Sequence, residues 1–163
     1  MRHEFVSTHR DAIVTKANGK VRKHPWHPAA MLDSEHGVAV FLGQLADTLQ
    51  HDLPPTPSSS AAIEATATLH GRELLDLGFS VSQVVHDYGD ICQAVTEMAV
   101  EQKMPITTQE FHILNRCLDI AIAMAVTEHA RISEESRAKE ELERLGRVAH
   151  EIRNRLNTAL LAF

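Results

Sequence analysis

Apolar residues recur at three- and four-residue spacing in one stretch after another of this 163-residue chain, and that pattern predicts an all-α fold. A first helix is expected from about residue 4 to 18, with Phe5, His9, Ala12 and Ile13 on one face and Asn18-Gly19 as its stop. Residues 20–32 carry His24-Pro25-Trp26-His27-Pro28, and the two prolines mark a connector whose Trp26 plugs an edge of the core. A second helix should start at Asp33 or Ser34 and reach about Gln50, turning Val38, Phe41, Leu42, Leu45 and Leu49 inward. Three prolines and three serines then make residues 53–60 a loop. The third helix, near 61–77, lines up Ile63, Ala67, Leu74 and Leu77 with His70 in the same stripe, and Gly78 ends it.

The next two helices announce their starts. Ser80 with Gln83 forms a capping box and Phe79 with Val84 a hydrophobic staple; Thr107 with Glu110 and Ile106 with Phe111 repeat the device. The fourth helix should bury Val81, Val84, Val85, Tyr88, Ile91, Cys92, Val95 and Met98. The fifth should bury Phe111, Leu114, Leu118, Ala121, Ala125 and Ile132.

From Glu128 onward the fifth helix turns polar, and a narrower apolar line then takes over. Ala138, Leu142, Leu145, Ala149, Ile152, Leu156, Ala159 and Phe163 follow each other by fours and threes. A strict 3.5-residue repeat is the seam of a coiled coil or helical-bundle dimer rather than the wider stripe of a globular helix. Glu135 with Lys139, Glu140 with Arg144 and Glu143 with Arg147 stand four apart, and each such pair supports an exposed helix by roughly 0.2–0.5 kcal/mol. Leu114 and Ala121 keep step with Leu142 and Ala149 while their companions shift by one residue. A single helix, on the order of 85 Å long if unbroken, can therefore pass from a bundle into the seam with a small rotation of its buried face. The expected organisation is a helical bundle over 1–127, a helical linker over 128–137, and the first part of a dimerising helix over 138–163.

Composition narrows the function. A formal net charge of −6 and a pI near 6.0 argue against a nucleic-acid partner, which calls for a basic face. Cys92 and Cys117 lie in helical patterns without metal-type spacing and read as reduced, packed thiols. The first residues lead into polar sequence rather than an apolar signal core, and Ile120–Val126 is far short of the roughly 20 residues that cross a bilayer. A cytoplasmic protein without a membrane partner is the expectation.

The run Ala149-His150-Glu151-Ile152-Arg153-Asn154-Arg155-Leu156-Asn157 resembles the H box of sensor histidine kinases, whose pattern is His, Glu, an aliphatic, Arg, Asn or Thr, commonly Pro, then Leu. The resemblance implies that His150 is the phosphoacceptor and that Glu151 takes the proton from the ring nitrogen that does not attack. It implies further that Asn154 orients a water when the phosphoryl group is removed. A neutral imidazole nitrogen is a workable nucleophile near pH 7, and an adjacent carboxylate fixes its tautomer. Arg155 stands where the family often has proline, which removes the kink expected there. A zinc-protease reading fails, because His-Glu-x-x-His needs a second histidine at position 154, which is Asn.

The stretch His70-Gly71, followed by Gly78-Phe79-Ser80-Val81-Ser82-Gln83-Val84-Val85-His86-Asp87-Tyr88-Gly89-Asp90, also resembles the N-terminal helical sensor regions of some bacterial histidine kinases. Much of 30–130 is similar as well to the helical, globin-like N-terminal domains of stressosome co-antagonist proteins. Gly89 within a helix costs about 1 kcal/mol relative to alanine, which suggests that another backbone or a ligand approaches closely there. His70 and His86 are the candidates for haem or metal. The plainer readings are a hydrogen-bonded core histidine for His70 and a surface or dimer-face residue for His86. His24 and His27 lack further ligands at a recognisable spacing.

The kinase resemblance implies that 1–127 is a sensor bundle and 128–137 a signalling linker. It also implies a homodimer through 138–163, a response-regulator receiver domain as phosphoryl acceptor, and an ATP-binding domain that brings ATP and Mg. The second bundle helix and that domain are expected beyond Phe163, so the chain alone is expected to be inactive and to hold no cofactor. Two rival readings stand beside it: a non-catalytic helical dimer acting as a stressosome-like scaffold, and a haem- or metal-binding sensor.

Overall fold

The computed structural model describes residues 3–25, 36–51 and 57–161, with side chains described as far as Asn154. The fold is all-α: α1 (His3–Thr8), α2 (Arg10–Val21), α3 (Val38–Gln50), α4 (Pro57–Asp76), α5 (Val81–Glu101) and α6 (Thr108–Leu161), with no strand among the described residues. The chain divides into two compact units, residues 1–129 and 130–163.

Within the first unit, α1 packs on α3, α2 runs along α5, and α3 contacts both α2 and α4. The core joins Phe5, Val6, Ile13 and Ala17 to Phe41, Leu42 and Leu45, then to Ile63 and Leu74, and finally to Tyr88, Ile91, Leu114, Cys117 and Ala125. Polar contacts hold the helices in register from outside. The Arg10 guanidinium donates to the Ala39 carbonyl at 2.8 and 3.1 Å, and the Gln44 amide donates to the Ala62 carbonyl and the Thr66 hydroxyl. Lys16 meets Glu101 and Lys20 meets Glu97, each at 2.6 Å, tying α2 to α5. The Lys20 ammonium, aided by Lys16 and Lys23, holds the Glu97 carboxyl below its ordinary range.

Both anticipated helix starts have the geometry their sequences signalled. Ser80 Oγ accepts from the Gln83 backbone while Gln83 Oε1 accepts from the Ser80 N–H at 2.6 Å. Thr107 and Glu110 make the same reciprocal pair. The stops are equally well defined. At the end of α4 the Gly78 N–H donates to the Leu75 carbonyl and the Phe79 N–H to the Leu74 carbonyl, with Gly78 at φ +82°. This closure satisfies two of the last carbonyls and needs a left-handed residue, which glycine supplies without strain. The end of α5 is closed in the same way, with Lys103 at φ +52° in the left-handed position.

Several boundaries and faces differ from the pattern read above. The first helix is two, broken at His9, and α2 runs past Asn18-Gly19 to Val21. Gly19 sits inside a helix because the stop is set by tertiary packing of Val21, which is buried, rather than by the local glycine signal. α4 starts at Pro57, inside the expected loop; proline at a first helical position loses no hydrogen bond. Val81, Val85, Leu77 and Phe111 were expected inside and are exposed, whereas Asp87 and Asp90 are buried on α5. Among the described residues nothing outside its own helix backbone and chain neighbours lies within 4 Å of a Cβ placed at Gly89, so no second backbone among them approaches closely there. Trp26, His27, Asp33, Ser34 and residues 53–56 lie outside the described residues, as do the side chains of Arg155, Leu156, Ala159, Leu160, Leu161 and Phe163.

Burial pushes the Cys117 thiol up to about 11, against an opposing hydrogen bond from Thr48 and the charge of Arg116; burial also raises the half-buried Cys92. Because the thiolate is the reactive form, both are expected to resist a maleimide near neutral pH, Cys92 reacting slowly and Cys117 only on unfolding. Rapid stoichiometric labelling of both thiols in the folded protein, read by mass spectrometry, would contradict this packing.

Candidate functional site

Residues 138–154 of α6 form a helix whose side chains are exposed throughout. Two faces of it differ in kind. One presents Leu142 (70% exposed), Leu145 (59%), Val148 (47%) and Ile152 (54%), large apolar side chains at three- and four-residue spacing. Such a row is unlike the single apolar residues that any surface carries. The other lines a shallow open concavity with Glu143, Gly146, Arg147, His150, Glu151 and Asn154.

That second face unites all three residues singled out for phosphotransfer. Helical side chains lean toward the N-terminus, so the His150 imidazole lies over the turn that holds Gly146 and Arg147. Gly146 carries no side chain, and among the described residues no heavy atom outside its own helix backbone and chain neighbours lies within 4 Å of where its Cβ would be, which leaves that side open. Arg147, three residues before His150, puts a guanidinium on the same face, and Glu143 lies a turn further back. Glu143, Gly146 and Arg147 were not recognised as part of the site from the motif. Their spacing of seven, four and three residues before His150 is the signal that identifies them. α6 continues as helix past Arg155 to Leu161, consistent with the missing proline.

His70 and His86 are placed very differently. His70 is buried on α4, with Nε2 3.2 Å from Asp87 Oδ2 and Nδ1 3.6 Å from Glu73 Oε2, and its ring meets Tyr88 edge-on at 5.8 Å. It is a hydrogen-bonded core histidine. Burial, with the adjacent Asp87 carboxylate adding to it, pushes the Tyr88 hydroxyl above its ordinary range and keeps it protonated. His86 is exposed, its ring 5.8 Å from that of His24, which bonds the buried Asp90 at 2.9 Å. Among the described residues no group of three or more His, Cys, Asp or Glu side chains is arranged to hold a metal ion. Sequence reading overlooked Asp87 and Asp90. No local signal marked them: each is buried on α5 against a histidine 17 or 66 residues away in the chain.

No helix among the described residues is long and apolar enough to cross a membrane. No protein-family model, curated protein or solved structure matches the chain.

Proposed function

We propose that this chain carries the input bundle and the phosphoacceptor helix of a cytoplasmic sensor histidine kinase, acting as a homodimer through residues 138–163. The observation that carries the reading is the placement of His150, Glu151 and Asn154 on one open face of α6, beside a separate exposed apolar face. In the proposed reaction an imidazole nitrogen of His150 attacks the γ-phosphorus of ATP held, with Mg, by an ATP-binding domain. A P–N bond forms, the bond from that phosphorus to the β-phosphate oxygen breaks, and ADP leaves. The proton on the other ring nitrogen passes to the Glu151 carboxylate. Arg147 supplies positive charge on the face where the phosphoryl group arrives. A receiver-domain aspartate then takes the phosphoryl group through a carboxylate oxygen as the P–N bond breaks. Asn154 orients the water that removes it.

The test is labelled ATP with the whole gene product, wild type beside His150→Gln. Acid-labile label on the wild type and at least a hundredfold less on the variant is the expected result. Equal label on the two, or none on folded wild type, rejects phosphotransfer and leaves a dimeric scaffold, which needs the apolar face alone.

A further inference from the structure

One turn of α4, His70-Gly71-Arg72-Glu73, meets a different neighbour with each of its four residues. Successive residues of an α-helix point about 100° apart, so four in a row sweep the whole circumference. His70 bonds Asp87 of α5. Gly71 lies against the backbone of α6: a Cβ built on it would fall 2.3 Å from the Ala125 carbonyl oxygen. The Arg72 guanidinium donates to Glu128 of α6 at 2.5 Å, and that carboxylate belongs to a residue only 8% exposed. Glu73 accepts from His36, in the segment before α3, at 2.5 Å, and its other oxygen faces His70 Nδ1 at 3.6 Å.

A further contact fixes the same turn of α6. His129 Nε2 lies 2.5 Å from the Phe79 carbonyl oxygen, in the corner that follows α4. Gly78 and the Ser80–Gln83 box stiffen that corner. Nδ1 of His129 is buried without a hydrogen-bond partner among the described residues, so Phe79 alone orients the ring by hydrogen bonding. Residues 125–129 are thus held to α4 and its corner by a backbone contact, a charged pair and a hydrogen bond. Backbone against backbone leaves no rotamer to absorb a displacement, so a tilt of the 70–73 turn has to move α6.

We propose that the 70–73 turn is a coupling hub: an event that separates His36 from Glu73 is passed through His70, Gly71 and Arg72 to residues 125–129, and along α6 to His150. Its effect on phosphorylation rests on the reading of His150 given above, whereas the coupling itself does not.

The experiment compares whole wild-type protein with Glu73→Gln, Glu128→Gln and the charge-reversed pair Arg72→Glu/Glu128→Arg. Hydrogen exchange of α6 amides over 126–140 is followed together with acid-labile label on His150. Glu73→Gln and Glu128→Gln are expected to change exchange beyond residue 129, and the label, by roughly fivefold or more, as typical coupling energies imply. The reversed pair is expected to return both toward wild type. Exchange altered only within α4 and α5, or nowhere, overturns the coupling. Label unchanged in every variant overturns its regulatory consequence while leaving His150 as phosphoacceptor. No label even on wild type sinks the phosphoacceptor reading instead, and the exchange data then decide the coupling alone.

Discussion

Gly71→Ala is expected to destabilise the protein, although alanine is the better helix former. Its Cβ would meet three backbone atoms of Ala125, the carbonyl oxygen at 2.3 Å, Cα at 2.7 Å and the carbonyl carbon at 2.8 Å. Backbone cannot swing aside as a flexible side chain can, so α4 and α6 must separate and forfeit packing around Leu74, Ala121 and Ala125, all buried. Overpacking of this kind costs about 3 kcal/mol at the upper end of its usual range, against about 1 kcal/mol gained in helix propensity. A net loss of about 2 kcal/mol corresponds to a fall in Tm of roughly 4–8 °C for a chain of this size. Gly89→Ala is the internal control. Gly89 is equally helical, but among the described residues nothing outside its own helix backbone and chain neighbours lies within 4 Å of its Cβ position, so the same substitution should raise stability by about 0.5–1 kcal/mol. Thermal unfolding of both variants checks the pair; a Gly71→Ala protein as stable as Gly89→Ala would refute the close crossing.

The contrast between these two glycines shows where sequence reading succeeds and where it stops. Both stand in a helical pattern with equal propensity cost, and only the tertiary arrangement separates the one pressed against α6 from the one in open space. Local chemistry was legible. Ser80 with Gln83 and Thr107 with Glu110 state their helix starts within four residues, because the groups that satisfy each other are neighbours in the chain. The arc a helix buries was legible only to about one residue. On α5 the spacing admitted Val81 and Val85 as readily as Asp87, but the buried arc centres on Val84, Tyr88, Ile91 and Val95 with Asp87 and Asp90 on its shoulder. Hydrophobicity alone chose the valines. The histidines that make those aspartates tolerable lie 17 residues away in one case and 66 in the other, beyond any local pattern. The candidate site divides in the same way. His150, Glu151 and Asn154 were legible as a motif, and Gly146 and Arg147 joined them only once the helix face was laid out.

Leu145→Asp combined with Ile152→Asp is expected to convert the proposed dimer to monomer, read by light scattering, without unfolding the 1–129 unit. In the single chain these side chains are 59% and 54% exposed, so an aspartate at either position disturbs no core and costs only a few tenths of a kcal/mol of helix propensity. A two-chain seam changes that balance. Each protomer would bury both residues, and loss of the four apolar side chains removes at least about 6 kcal/mol of burial at roughly 1.5 kcal/mol each. Four carboxylates then crowd the seam, where like charges repel. A rise in dimer Kd of far more than 100-fold, for which about 2.7 kcal/mol suffices, is the expected outcome. His150→Gln should leave the proposed dimer intact, because position 150 falls beside the proposed seam rather than in it. The two variants thus separate assembly from chemistry. A double-aspartate protein that remains dimeric would place the interface elsewhere and leave the apolar row on α6 for some other partner. A monomeric one that keeps the thermal transition of the 1–129 unit would assign that row to a second copy of this chain.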